Sequence, residues 1–256
     1  MLALLLAVTM TQTQAQARSA PPARYRLEVK TLRELDRSSM GGPKTADGLA
    51  TSAIIAVTMQ DSAGGQLARI VVDSIALSPT GAVVEDLQRH PTAVQDARGA
   101  WVNVYIAHGK IQGGVQLSDS TNPALGAIVQ AVGVLFPGIR RGAKLGDSWA
   151  DTSKINNASG PRRVSGEVIA TWKVVANEGD ALVLEGSSTS ETRTEDGSGQ
   201  VLTLTGGSKE RVVIPPTGLA RRASIETSSD MSITAPRLTS PIPGRTTGSL
   251  TLTPIP

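Results

Sequence analysis

The second half of the chain is a succession of long segments in which aliphatic and polar residues alternate. Three of them cover residues 162–176, 181–194 and 200–214, and the short sequences NEGD and EDGSG separate them. A period of two is typical of strands with one buried face, and Gly beside Asp or Asn favours tight turns between them. These segments predict an antiparallel meander with one solvent-exposed face. Residues 218–235 continue it, and residues 245–255 either close it or run along an edge.

The first half of the chain carries the same pattern in shorter pieces. The sequence YRLEVK, which starts at Tyr25, alternates apolar and charged residues and predicts a half-buried strand. Residues 50–60 and 66–77 are two strand-like runs joined by DSAGG, which is a hairpin signal. Residues 101–111 return to strand character after residues 78–100, where no regular pattern is evident.

One segment has a helical period instead. Asn122 suits a helix N-cap and Pro123 the first helical position. Apolar residues then recur three or four positions apart, at Leu125, Ile128, Val129, Val132 and Phe136. The sequence therefore predicts a mainly β fold: a large curled antiparallel sheet, either a half-barrel or an open barrel, with one packed α-helix near residues 123–136.

The N-terminus predicts export. A short apolar run, Leu2 to Val8, is followed by polar residues and by the small-x-small signal Ala15-Gln16-Ala17. This pattern is typical of a secretory signal peptide that is cleaved after Ala17, and a retained anchor is the alternative. We therefore expect a signal peptide at 1–17, a linker at 18–24 and a single β-rich domain at 25–256, located in the bacterial periplasm or secreted.

Composition narrows the chemistry that the chain can perform. There is no cysteine, which excludes disulfides, thiolate metal sites and a cysteine nucleophile. The net charge of +3 is too small to favour a nucleic-acid partner. None of the common catalytic or nucleotide-binding motifs is present, and nothing assigns a reaction to His90 or His108. We expect no enzymatic activity, no catalytic residues, no cofactor and no metal.

Paired arginines are the candidate residues for binding a ligand or a partner. Guanidinium groups bind phosphate and carboxylate oxygens in bidentate geometry, so two pairs brought together by the sheet would attract anions. The alternative is that each pair is solvated or bound to a nearby carboxylate. The six residues are Arg140, Arg141, Arg162, Arg163, Arg221 and Arg222.

The stretch LFPGIRRGAKLGDSWADT, residues 135–152, reads mainly as a structural joint between the helix and the next strand. Its joint residues are Pro137, Gly146, Asp147 and Trp149. The stretch also resembles a group of uncharacterised secreted bacterial β-proteins, in which a short helix and a Pro-containing loop precede a GDsW-like turn. The residues that carry the resemblance are Pro137, Leu145, Gly146, Asp147, Ser148 and Trp149, together with the opening YRLEVKTLRELDRSSMGG and TSAIIAVTM.

This resemblance implies a fold and an export route, but no reaction. The architecture is more loosely similar to periplasmic lipoprotein-carrier-like half-barrels, which hold a lipid or acyl chain between a curled sheet and helices. Two hypotheses follow. The first is an exported, non-enzymatic envelope protein that binds a hydrophobic or amphiphilic ligand, with helix 123–136 covering the concave sheet. The alternative is a structural or accessory subunit of an envelope or membrane-associated assembly, which docks through a sheet edge or through the arginine pairs.

Overall fold

Eleven strands and three α-helices make up the described part of the chain. The computed structural model describes residues 21–256 apart from residues 63, 108, 109 and 141, so the predicted signal peptide lies outside the described residues. The strands are β1 Ala23–Asp36, β2 Lys44–Ser62, β3 Gly65–Thr80, β4 Trp101–Ala107, β5 Lys110–Leu117, β6 Ser148–Ser159, β7 Arg162–Glu178, β8 Ala181–Glu195, β9 Val201–Ile214, β10 Arg222–Thr234 and β11 Ile242–Ile255. The helices are α1 Val83–Gln88, α2 Ala93–Asp96 and α3 Gly126–Leu135, and single 3-10 turns occupy Ser38–Met40 and Pro123–Leu125.

All the strands belong to one sheet in the order β5-β4-β3-β2-β1-β11-β10-β9-β8-β7-β6. Every neighbouring pair is antiparallel. The last strand, β11, lies between β1 and β10 and so joins the two hairpin-rich halves of the chain. The sheet is not closed, because β5 and β6 are its two edges. The predicted fold, a large curled antiparallel sheet with one packed helix, is confirmed.

Alternation places one side of each strand in a common core. On β1, Tyr25, Leu27 and Val29 are buried while the residues between them are exposed. The same core takes side chains from β2 to β4 and from β7 to β11. Because strands from both halves of the sheet contribute to one cluster, the sheet curls around its concave face. We call the opposite face convex.

Helix α3 lies on the concave side and fills one end of the curl. As predicted, Asn122 is the N-cap of the helical segment and Pro123 is its first residue. The Asn122 side chain accepts a hydrogen bond from the Ala124 N–H (2.9 Å). Ile128 and Leu135 are 0% exposed, and the Leu135 carbonyl at the end of α3 accepts a hydrogen bond from the Ala220 N–H (2.9 Å). The helix is therefore part of the hydrophobic core.

Two local features differ from the sequence prediction. Residues 101–111 are not one strand, since β4 ends at Ala107 and β5 begins at Lys110, paired with it as a hairpin. Residues 78–100 contain the two short helices α1 and α2. This segment is tied to the α3 region, because the side-chain amide of Asn122 donates to the Ala93 carbonyl (3.0 Å). Within the described ranges, no helix is long and apolar enough to span a membrane.

Candidate functional site

Beyond α3 the concave face is open, and on β7 and β8 it presents an apolar row of side chains beside a polar row. Counting in twos from the core residue Val174 places the other concave side chains of β7, and counting from the core residue Leu184 places those of β8. Apart from Arg162, which is exposed at the first position of β7, all of them are half-buried. On β7 they are apolar: Val164, Val168, Ala170 and Trp172. On β8 they carry hydroxyl groups: Ser188, Ser190, Thr192 and Thr194. We call these two rows the concave site.

An indole ring marks the end of the concave site nearest to α3. Trp172 lies across the strand from Gly186, and a Cβ atom added to Gly186 would come within 2.6 Å of Cε3 and Cζ3 of the ring. The ring therefore rests directly on the backbone of β8, where only glycine leaves room for it. On the other side, Trp172 pairs with Trp149 of the edge strand β6. Both tryptophans are half-buried and pack against the main core.

A carboxylate and two hydroxyl groups lie beside this ring. Glu210 of β9 is directly across the strand from Gly186, and Ser208 is across from Ser188. The Ser208 hydroxyl donates to Oε1 of Glu210 (2.7 Å). Its proton is thus used, so in the 2.8 Å contact between the two serines Ser188 donates and Ser208 accepts. Glu210 makes no ion pair within the described part of the chain, although it is half-buried.

A second apolar cluster limits the concave face at the end opposite to α3. It consists of the buried residues Leu35, Met231 and Ile242, with partly buried aliphatic residues from β9 and β10 around them. Between this cluster and the main core, β8 and β9 present mostly Ser, Thr and Gly to the concave side. The concave surface is therefore apolar along β7 and polar along the neighbouring strands.

Helix α3 does not form the roof of this site. Its apolar side chains are buried against the sheet in the main core. The surface available to a ligand therefore lies beyond the helix, and not beneath it as the sequence-based hypothesis assumed.

The structure does not bring all the arginine pairs together. Arg221 and Arg222 lie near the α3 end of the sheet, and each binds a carboxylate of the β7–β8 turn region: Arg221 to Asp180 at 3.0 Å and Arg222 to Glu178 at 2.5 Å. Arg162 begins β7, sixteen positions before Glu178 at its other end. At about 3.3 Å per residue, the pair Arg162-Arg163 therefore lies about 50 Å along β7 from the pair Arg221-Arg222.

The remaining arginines are placed separately. Arg163 lines a cavity of about 390 Å³ together with Asn156, Asn157 and Arg193. This cavity lies at the ends of β6, β7 and β8 that are farthest from α3. Arg193 is bound to Glu195 at 2.5 Å. Arg162 and Arg140 are exposed, and Arg141 lies outside the described residues.

The predicted joint forms a tight turn that leads into β6. The Asp147 N–H donates to the Lys144 carbonyl (3.0 Å), and the Asp147 side chain accepts from the Lys144 N–H (2.9 Å). Gly146 has a φ of +90°, which favours glycine, and its N–H donates to the Val174 carbonyl (3.0 Å). Pro137 is half-buried before this turn. The turn thus starts the pairing with β7 and delivers Trp149 to the concave face.

Two further titratable residues, Tyr25 and His90, lie outside the concave site. Burial raises the pKa of Tyr25 to about 12, which keeps its phenol protonated. His90 is exposed between α1 and α2, and His108 lies outside the described residues. In the described ranges, no cluster of His, Asp and Glu has the composition of a metal site.

Sequence reasoning missed Trp172, Gly186, Ser188 and Glu210, because they come from three different strands. The available signal was glycine inside an otherwise regular strand, which often marks a close approach of another group.

No protein-family model matches the chain, and a comparison with curated proteins finds no match. Among solved structures, a triple mutant of the Rhodopseudomonas blastica porin is 8% identical and has a TM-score of 0.25, with 91% of this chain and 99% of that chain covered. A loop-deletion mutant of OmpT, an outer membrane protein of Vibrio cholerae, is 10% identical with a TM-score of 0.20, covering 90% and 98% of the two chains. Likenesses this slight carry no argument about this protein.

Proposed function

We propose that this protein is an exported, non-enzymatic envelope protein that binds an amphiphilic ligand in the concave site. The observation that carries the proposal is the side-by-side placement of an apolar row on β7 and a hydroxyl row on β8. An amphiphile has the same division between its chain and its headgroup. The predicted signal peptide, residues 1–17, supports the envelope location.

The two rows support different parts of such a ligand. An alkyl chain laid along Val164, Val168 and Trp172 would gain about 0.8 kcal/mol for each methylene group removed from water. Hydroxyl groups of β8 can both donate and accept hydrogen bonds, so they can satisfy a polar headgroup without a fixed charge pattern. Because all these side chains are half-buried and not fully enclosed, the ligand can enter without unfolding of the core.

Native mass spectrometry of the protein purified from its own host's envelope tests this function. We expect a co-purifying amphiphile that is retained by the unaltered protein and lost when Val168→Asp places a charge in the apolar row. Convex-face Ile169→Asp is the matched control, since Ile169 is 41% exposed on the adjacent position of the same strand. A folded protein that carries no amphiphile and binds none on addition would contradict the proposal.

A second candidate function, an accessory subunit that docks through its sheet edges, is supported by the geometry of β5 and β6. An odd number of antiparallel strands makes the two edge strands point in the same direction. One inserted strand would therefore run antiparallel to both. Lys110 of β5 and Asp151 of β6 already meet at 2.7 Å, so the edges face each other.

This alternative predicts a stoichiometric protein partner in the same mass spectrum. A partner held by Arg140 and Arg141 instead of the edges would dissociate at high salt and after reversal of both charges. Retention under both conditions would leave only the edge version of this candidate.

A further inference from the structure

At the end of the concave site nearest to α3, a negative charge on β9 lies close to the aromatic surface of β7. Glu210 is half-buried on the concave face, and among the described residues its only hydrogen-bond partner is the neutral hydroxyl of Ser208. A carboxylate that loses part of its hydration is stabilised when a cation pairs with it. The only cation in the concave rows of β7 and β8 is Arg162, which lies ten positions from Trp172 at the opposite end of β7; the other residues are apolar, glycine or hydroxyl residues.

Trp172 adds a second attraction for positive charge at the same place. Its ring rests on Gly186, and Glu210 is the residue directly across the strand from Gly186. Two strand spacings, about 10 Å, therefore separate the backbones that carry the indole and the carboxylate. The face of an indole attracts cations, and an ammonium group with its C–H surface is a preferred partner.

The same chemistry already occurs within the protein, on the convex face. The Arg69 guanidinium lies 4.9 Å from the ring centroid of Trp101. Trp101 therefore has its cation, whereas the concave rows of β7 and β8 place no cationic side chain near Trp172 and Trp149, since Arg162 lies at the opposite end of β7.

We propose that the headgroup of the bound amphiphile presents an ammonium cation, which binds between the Trp172 ring and the Glu210 carboxylate. This inference rests on the proposed function. Ser188 and Ser208 hold the carboxylate through their hydrogen-bond chain, with one oxygen of Glu210 left to face the cation. The alkyl chain extends from there along the apolar row of β7. A neutral sugar headgroup would satisfy the hydroxyl groups but would leave the charge of Glu210 uncompensated.

Four probes with the same octyl chain separate these possibilities: octyltrimethylammonium, octylammonium, octyl glucoside and octyl sulfate, each used below its micelle concentration. We expect both ammonium probes to bind at least tenfold more tightly than octyl glucoside, and octyl sulfate to bind most weakly. The ratio between the two ammonium probes distinguishes a quaternary from a primary headgroup. Glu210→Gln should abolish the preference for ammonium over glucoside by weakening the binding of both ammonium probes.

Position is tested by the indole N–H signals in a nitrogen–proton correlation spectrum, since the protein has only three tryptophans. Octyltrimethylammonium should shift the signals of Trp149 and Trp172 and leave that of Trp101 in place. Glu191→Gln, which alters an exposed convex carboxylate on β8, is the matched control and should keep the full preference.

The outcomes separate this inference from the function on which it rests. Equal binding of the ammonium and glucoside probes, or an ammonium preference that survives Glu210→Gln, overturns the ammonium headgroup and leaves amphiphile binding standing. Failure of all four probes to bind the folded protein overturns both.

Discussion

Removal of the Asp47 carboxylate should destabilise the protein by a predictable amount and with a predictable pH dependence. Oδ1 of Asp47 accepts the Ala82 N–H at 2.8 Å, and Oδ2 accepts Nη2 of Arg33 at 2.9 Å. The carboxylate thus attaches the start of the α1–α2 segment to β1 and β2. Asp47 is only 8% exposed.

The magnitude follows from the two partners. A hydrogen bond to a charged group contributes about 1.5–3 kcal/mol, and the pair with Arg33, whose side chain is 49% exposed, adds about 0–1 kcal/mol. We expect Asp47→Ala to lower the free energy of unfolding by about 2–3 kcal/mol at pH 7. Asp47→Asn keeps an oxygen for Ala82 but loses the charge, so it should cost about 1 kcal/mol.

The pH dependence has a definite sign. The Ala82 N–H first, and then Arg33, hold the pKa of Asp47 below its usual value. A carboxyl group with a lowered folded-state pKa stabilises the fold above its unfolded pKa of about 3.9 and loses that contribution as pH falls through the folded value. The difference between the unaltered protein and Asp47→Asn should therefore be complete at pH 7 and shrink progressively below pH 4.

Urea unfolding followed by circular dichroism at pH 7 and at stepwise lower pH measures this difference. Asp230→Asn, an exposed carboxylate of β10, serves as the control and should change stability little at any pH. A cost of Asp47→Asn that stays constant down to pH 2.5 would refute the assigned role of the ionised carboxylate.

Three further predictions concern packing. Ile128→Ala in α3 removes a side chain that is 0% exposed and should cost about 2–5 kcal/mol in urea unfolding. Gly186→Ala places a methyl group 2.6 Å from the Trp172 ring, so we expect a loss of about 1–3 kcal/mol and a shift of the indole N–H signal of Trp172; an unshifted signal would contradict the close approach. Trp149→Ala should cost less than the about 3–5 kcal/mol typical of a buried tryptophan, because Trp149 is half-buried on an edge strand; a full loss in thermal unfolding would show that β6 is held more tightly than its position indicates.

Local pattern was sufficient to predict strands and the helix because burial acts on neighbouring residues. The alternation at Tyr25, Leu27 and Val29 and the helical spacing around Ile128 both reflect one buried side of an element. The boundary at Ala107 was missed, because β-branched residues occur on both sides of it, at Val104 and Ile106 in β4 and at Ile111 and Val115 in β5.

Strand order and the site depended on distant pairing, which no local pattern encodes. Residues 242–255 are equally suited to an edge and to the central position between β1 and β10 that they occupy. The arginine pairs were conspicuous because they are adjacent in sequence, but long strands separate Arg162 from Arg221. Trp172 and Glu210 became neighbours only through the register of β7, β8 and β9.

Ligand binding on the concave face of β8 is tested most directly with one cysteine on each side of that strand. The natural chain has no cysteine, so Ser190→Cys and Thr189→Cys each accept a single environment-sensitive fluorophore. Ser190 is half-buried on the concave side and Thr189 is exposed on the convex side. Titration with octyltrimethylammonium should shift the emission of the label at position 190 to shorter wavelength in a saturable way and leave the label at position 189 unchanged. Equal responses at the two positions, or none at position 190, would contradict binding in the concave site.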